Sequence, residues 1–135
     1  MLIQPNVVKP VKSQFTVPFD ISILTINPHM HLLGREMKVW ARMKDESIQP
    51  LIHIDDWDFH WQGFYFYRTP VALPTGSWIE LMAAWDNSEA NPRNPSKPPR
   101  DVSWGERTID ENRGMPHLVD RPLAPGHVAG RFAGV

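Results

Sequence analysis

The 135-residue chain contains no cysteine. Disulfides, thiolate metal sites and cysteine nucleophiles are therefore excluded, and any metal must be held by His, Met, Asp or Glu. Long apolar runs are also missing. The longest, Ile21 to Ile26, falls far short of the ~20 residues a membrane-spanning helix needs. Nor is there an excess of charge of one sign: 14 Lys and Arg stand against 15 Asp and Glu, a formal net charge of -1. That balance argues against a strongly cationic binder, so neither nucleic acid nor membrane is an expected partner. The start, Met1 to Pro5, has neither the basic region nor the apolar stretch of a signal peptide. A Gly-rich phosphate loop, a G-x-S-x-G elbow and an H-E-x-x-H helix are all absent.

What is there reads as one globular domain. The chain is 41% hydrophobic and 21% charged, and its length supports a core that buries roughly two-thirds of the unfolded surface. Fourteen prolines and eight glycines leave few uninterrupted windows for long helices. Between these breakers the sequence alternates. Lys38 to Lys44 sets Val39, Ala41 and Met43 on one face and Lys38, Arg42 and Lys44 on the other, the mark of a half-buried strand. Trp78 to Trp85 alternates less cleanly, Trp61 to Arg68 is rich in aromatics, and Phe15 to Ile26 is long enough for one continuous or bulged strand. Asp101 to Ile109 is a further candidate. Many short strands separated by turns predict an antiparallel β-sandwich or jelly roll spanning residues 15–111. Residues 1–14 then read as an N-terminal extension, and residues 112–135, heavy in Pro, Gly and Arg, as an irregular tail.

One constellation points to chemistry. His29-Met30-His31 follows the Ile21 to Ile26 run and precedes Gly34. In an extended chain, residues two apart share a face, so the imidazoles of His29 and His31 lie side by side while Met30 turns toward the core. Such a pair is also the ordinary look of two solvated or hydrogen-bonded histidines. With a third soft or oxygen ligand it suits copper or zinc, and a thioether tilts the choice toward Cu(I). His53 and His60 read as packed or surface residues, and His117 and His127 fall in the tail. The six tryptophans, Trp40, Trp57, Trp61, Trp78, Trp85 and Trp104, could offer a stacking platform for sugars, although in alternating strands they more often build the core. Asp55-Asp56 with Asp58 could be imagined as general acid and base, but adjacent carboxylates on a strand or turn face apart and are usually solvated, and the loop from Asp86 to Pro95 is rich in Asx-capable residues that make it structural.

Four segments in order carry a family resemblance: Pro28 to Arg35; Trp57 to Gln62; Asp86-Asn87-Ser88 with Asn91-Pro92 and Asn94-Pro95; and Trp104-Gly105-Glu106 with Thr108 to Glu111. Together they resemble the C-terminal domain of the copper type II, ascorbate-dependent monooxygenases, the family of peptidylglycine α-hydroxylating monooxygenase and dopamine β-monooxygenase, closest to its bacterial members. The resemblance implies a jelly-roll β-sandwich and a copper ion held by His29, His31 and a methionine. The family's methionine position falls on Asn112, whose amide oxygen is a harder donor; Met115 lies three residues on and is the available thioether.

By the same resemblance the reaction is C–H hydroxylation with dioxygen and a reductant such as ascorbate, with His29 and His31 as catalytic copper ligands. The substrate is then a small molecule or a peptide, and the compartment is periplasmic or secreted. Where the peptide-amidating enzyme has a basic residue two positions before its first histidine, this chain has Asn27, so amidation is not implied. The family also uses a second copper domain for electron delivery. No such domain fits in these 135 residues, so either another chain supplies it or this chain does not turn over by itself. The alternative reading is a catalytically silent copper-binding or structural β-sandwich module.

Overall fold

A computed structural model of the chain describes residues 2–103 and the backbone of residues 117–122. The strands are β1 (Leu2–Ile3), β2 (Val8–Thr16), β3 (Ile21–Asn27), β4 (Gly34–Arg42), β5 (Ile48–Ile54), β6 (Tyr65–Leu73), β7 (Trp78–Asp86), β8 (Val102–Ser103) and β9 (His117–Pro122). The one helical piece among the described residues is a 3-10 turn at Phe59–Trp61. Every strand pairing is antiparallel. A four-stranded sheet runs in the order β2-β7-β4-β5, a three-stranded sheet in the order β6-β3-β9, and β1 pairs with β8. The expected antiparallel all-β sandwich is what the chain forms.

The alternation read from Lys38 to Lys44 is borne out. Val39 and Ala41 of β4 are buried and meet Leu81 and Ile79 of β7 in register, while Met43 packs at the margin of the core. From the other sheet, Ile21, Ile23 and Ile26 of β3 join the same apolar cluster. A bulge between Ile23 and Thr25 shifts the register of β3 against both its neighbours. The extra residue changes the phase of the pleat, so that Thr25 and Ile26 are both buried although adjacent.

Several boundaries differ from the sequence reading. Trp61 to Arg68 is not one strand: Trp61 closes the 3-10 turn and the strand is β6, Tyr65–Leu73. Phe15 to Ile26 is not one strand: Pro18 lies in a break that ends β2 at Thr16 and starts β3 at Ile21, in a different sheet. Proline at 18 offers no ladder donor, consistent with the change of sheet between Thr16 and Ile21. Residues 2–14 are not an extension. Ile3 is fully buried, and β2 pairs with β7 over its whole length from Val8↔Asp86 to Thr16↔Trp78. Because β2 is an edge strand, exposed or half-exposed throughout and carrying Lys9, Pro10 and Lys12, it has no clean apolar alternation to detect. Finally, the stretch read as an irregular tail contains β9, whose backbone pairs with β3 from Asn27↔His117 to Ile21↔Pro122.

Candidate metal centre

The chain leaves β3 at Asn27 and passes through Pro28 to His31 without regular structure before turning into β4 at Gly34. The turn is closed by the Gly34 amide donating to the His31 carbonyl at 3.0 Å, and the Leu33 carbonyl accepts from the Asp86 amide at 2.8 Å. This short loop is therefore tied to the end of β7. Met30 is fully buried, as its position between the histidines predicts, and Leu33 is buried beside it.

Trp57 locks the loop from the other side. A Cβ on Gly34 would stand 2.6 Å from Trp57 Cδ1 and 2.9 Å from Met30 Cβ, so the indole lies directly on glycine backbone where no side chain fits. Trp57 itself is 2% exposed, and its amide donates to the Arg35 carbonyl at 2.9 Å. The Trp57 indole N–H has no partner among the described residues. Its burial thus serves packing of the loop rather than hydrogen bonding.

A second set of contacts runs along one face of β3 and past its end. Thr25 Oγ1 donates to the Tyr65 carbonyl at 3.0 Å, Asn27 Nδ2 donates to the Gly63 carbonyl at 2.8 Å, and His29 Nδ1 pairs with Gln62 Oε1. Residues 25, 27 and 29 are two apart, the strand period, and grip successive parts of the segment that follows the 3-10 turn. Asn27 is thus engaged with main chain.

The two imidazoles come together as the sequence spacing predicts. Their ring centroids are 5.0 Å apart and their planes nearly perpendicular, at 89°. His31 is 4% exposed and His29 half-buried. The Phe59 ring packs edge-on against His31 at 6.2 Å. Gln62 Nε2 donates to the Phe59 carbonyl at 2.8 Å, which turns its Oε1 toward His29. With that amide orientation His29 carries its proton on Nδ1, an assignment made from the hydrogen-bond network, and Nε2 is the lone-pair nitrogen. An outer hydrogen bond of this kind is how metal-ligating histidines are oriented and kept in one tautomer.

The donor set fits a soft or borderline metal ion: two imidazoles converge from one chain segment, one of them held by an outer amide. Among the described residues no group of three or more His, Cys, Asp or Glu gathers at one point. Met115, the expected thioether, lies outside the described residues, as do Asn112 and the Trp104 to Glu111 segment. His53 is remote from the pair; it sits on the four-stranded sheet 3.4 Å from Glu36. His60 is on the 3-10 turn, 81% exposed at its side chain and 3.1 Å from Asp58.

Each carboxylate of the Asp55 to Asp58 group goes its own way. Asp56 is held by the Arg93 guanidinium at 2.6 and 3.2 Å, and Arg93 holds its carboxyl below the usual range. Asp58 caps the 3-10 turn, accepting from the His60 amide at 2.9 Å, and that bond together with the His60 ring lowers its carboxyl as well. Of the tryptophans, Trp57 and Trp85 are core, Trp40 donates to Glu80, and Trp61 stands 80% exposed.

Gln62, Thr25 and Asn27 are the residues whose role sequence reasoning missed. Gln62 belongs to a segment carrying the family resemblance, but nothing in a lone glutamine after an aromatic run says that it reaches a histidine 33 positions away. No protein-family model and no curated protein sequence matches the chain.

Proposed function

We propose that this chain is the copper-binding β-sandwich of a monooxygenase that hydroxylates C–H bonds, with His29 and His31 as the imidazole ligands and Met115 as the thioether. The observation that carries the reading is the convergence of the two imidazoles with His29 Nδ1 held by Gln62. Support for Met115 comes from the register of β9. The described backbone of β9 begins at His117, paired with Asn27, two residues before His29, and in the sequence Met115 precedes His117 by two residues. Jelly-roll connectivity, ascorbate as reductant, a second, electron-delivering copper domain and a periplasmic or secreted location belong to the same proposal.

Copper, when bound, supplies the one-electron chemistry toward dioxygen that no side chain here can supply, and a thioether favours its reduced form. The protein's own part is orientation. His29 is held in one tautomer by Gln62, and the Phe59 ring packs edge-on against the buried His31. Burial of Met30 and the Trp57–Gly34 contact fix the loop that bears both rings. Asn27 is neutral and committed to the Gly63 carbonyl, so it provides no cation for a substrate carboxylate. That favours a substrate other than a peptide C-terminus.

The test is a titration of the chain with Cu(I) and Cu(II), the Cu(II) form followed by electron paramagnetic resonance, beside His29→Ala and His31→Ala. One tight copper per chain is expected, lost in either variant with the strand signal in circular dichroism unchanged. Copper retained in the double variant would place the ion elsewhere and overturn the assignment. Oxygen uptake above that of free copper, with ascorbate and the electron-delivering partner, is expected of the enzyme. Tight copper without such uptake would make the chain a silent copper-binding module.

A further inference from the structure

On the side of the 3-10 turn marked by Asp58 and Trp61 lies an open groove of about 340 Å3, lined among others by Asp56, Asp58, Trp61, Tyr65 and Arg93. That volume is at the low end of the ~300–1,000 Å3 of small-ligand sites. Neither His29 nor His31 lines the groove, although Trp57 belongs both to its wall and to the packing of the histidine loop.

Its polar groups are held in place. Arg93 Nη1 donates to Asp56 Oδ1 at 2.6 Å and to the Trp57 carbonyl at 2.8 Å, and Nη2 donates to Asp56 Oδ2 at 3.2 Å. These bonds take both Nη1 hydrogens and one of Nη2, and they fix the guanidinium plane. Nε–H and the second Nη2–H, along the other edge of the fork, have no partner among the described residues. Asp58 Oδ1 accepts from the His60 amide at 2.9 Å and from its ring at 3.1 Å, which orients the carboxylate and leaves Oδ2 as an acceptor. Beside this rigid donor and acceptor set stand two aromatic faces, Trp61 at 80% exposure and Tyr65 at 43%. The Tyr65 hydroxyl is 3.5 Å from the Trp61 carbonyl, so the two rings are tied to one short segment.

The charges select among ligand classes. An anion would meet Asp56 and Asp58, and a cation would meet Arg93. Asp56 and Arg93 are paired with each other, and what remains is the other edge of the Arg93 fork beside the carboxylate of Asp58, itself bonded to the His60 amide and ring; one donor edge next to one acceptor suits a neutral molecule better than an ion of either sign. Such a ligand must offer hydroxyl groups that both give and accept hydrogen bonds, and an apolar face for an indole. A pyranose ring has both: its axial hydrogens make one flat face apolar, and its rim carries adjacent hydroxyls. We propose that this groove is a binding subsite for a neutral saccharide, stacked on Trp61 and hydrogen-bonded by Arg93 and Asp58.

The experiment uses the full chain stripped of metal with a chelator, so that its result does not depend on the copper reading. Tryptophan emission and isothermal calorimetry follow titration with cello-, xylo-, malto- and fully N-acetylated chito-hexaose, with tetramethylammonium and acetate as charged controls. At least one hexaose is expected to bind and shift the emission, with affinity falling about tenfold or more in Trp61→Ala and clearly in Arg93→Lys, which keeps the charge but loses the fork. Trp61→Phe, which keeps an aromatic face, should retain most of the binding. Both positions are on the surface, and an unchanged thermal midpoint in each variant confirms that the fold is intact. No response to any hexaose, a response that survives in Trp61→Ala, or tighter binding of either charged control would each overturn the proposal.

Discussion

The loop that follows β7 and the loop that follows β3 differ in what their side chains hold. In the loop after β7, Asn87 is fully buried and shares its amide hydrogens among the carbonyls of Arg100, Gln4 and Ile3 at 2.7, 3.1 and 3.2 Å. Its Oδ1 accepts from Asn94 Nδ2 at 3.0 Å, and Asn91 Nδ2 donates to the Asp86 carbonyl at 2.7 Å. Nearly all these bonds join a side chain to main chain, and they close the loop against β1 and the segment before β8. In the loop after β3, by contrast, His29 is bonded to another side chain, Gln62, which is in turn anchored on main chain. A side chain that terminates on backbone does a structural job and stops there. One that is oriented by a second side chain has had its ring direction set, which is what a ligand needs.

The largest effect should come from breaking the first loop. Asn87→Ala removes four hydrogen bonds at a site with no solvent to replace them, leaving three carbonyls and the Asn94 amide to find other partners. We expect a loss of about 3 kcal/mol or more of stability, read by urea unfolding. Copper stoichiometry in the folded fraction should not change. Loss of copper with little loss of stability would reverse the roles assigned to the two loops.

Next in size is Gly34→Ala. The added Cβ would meet Trp57 Cδ1 and Met30 Cβ at 2.6 and 2.9 Å, and neither the buried indole nor the β-carbon next to main chain can yield cheaply. A destabilisation of about 1–3 kcal/mol is expected. Because the indole that must move is packed on the histidine loop, copper affinity should fall too, in contrast to Asn87→Ala. Thermal unfolding and a copper titration on the same sample separate the two variants.

Gln62→Leu sharpens the comparison without disturbing the core. It removes the acceptor that sets the His29 tautomer while keeping a side chain of similar size, and loss of such an outer partner costs roughly 10–100-fold in metal affinity. Stability should hardly change, since Gln62 is only half-buried. A competition titration against a chelator of known affinity reads the effect, and a shift in the imidazole nitrogen resonances of the metal-free chain would report the changed tautomer directly.

The difference between the loops also explains how much could be read from the sequence. His29 and His31 were legible because the strand period is short-range: two residues apart in extended chain share a face whatever the rest of the molecule does. Met30 was legible for the same reason. The Asx character of Asp86 to Pro95 marked it as structural, although the identity of Asn87 as its buried centre was not visible, because its partners Ile3 and Gln4 are more than eighty positions away. Gln62 was hidden by the same distance problem. Edge strand β2 escaped because alternation is a signature of half-buried strands, and Val8 to Thr16 is largely exposed. Of the tryptophans, local pattern could not separate Trp57 from Trp61, four residues apart, one under the loop and the other in solvent.

The smallest expected effect concerns Asp56 and Arg93, which flank the turn bearing Gln62. Arg93 holds the Asp56 carboxyl below the ordinary carboxylate range through a two-pronged hydrogen bond and its charge. A carboxyl depressed in the folded state contributes stability that is complete above its unfolded value of about 3.9 and is lost as pH falls through the lower folded value. The pair is exposed, so its contribution is small and screened by salt. Following the Asp56 carboxyl carbon by nuclear magnetic resonance should therefore give a low midpoint, and Arg93→Met should raise it toward the unfolded value. Copper affinity at neutral pH should be the same in both proteins, because Arg93 bonds Asp56 and the Trp57 carbonyl whereas His29 is held by Gln62, which is itself anchored on the Phe59 carbonyl. A fall in copper affinity would mean that this ion pair, and not the Gln62–Phe59 bond alone, sets the position of the histidine's partner.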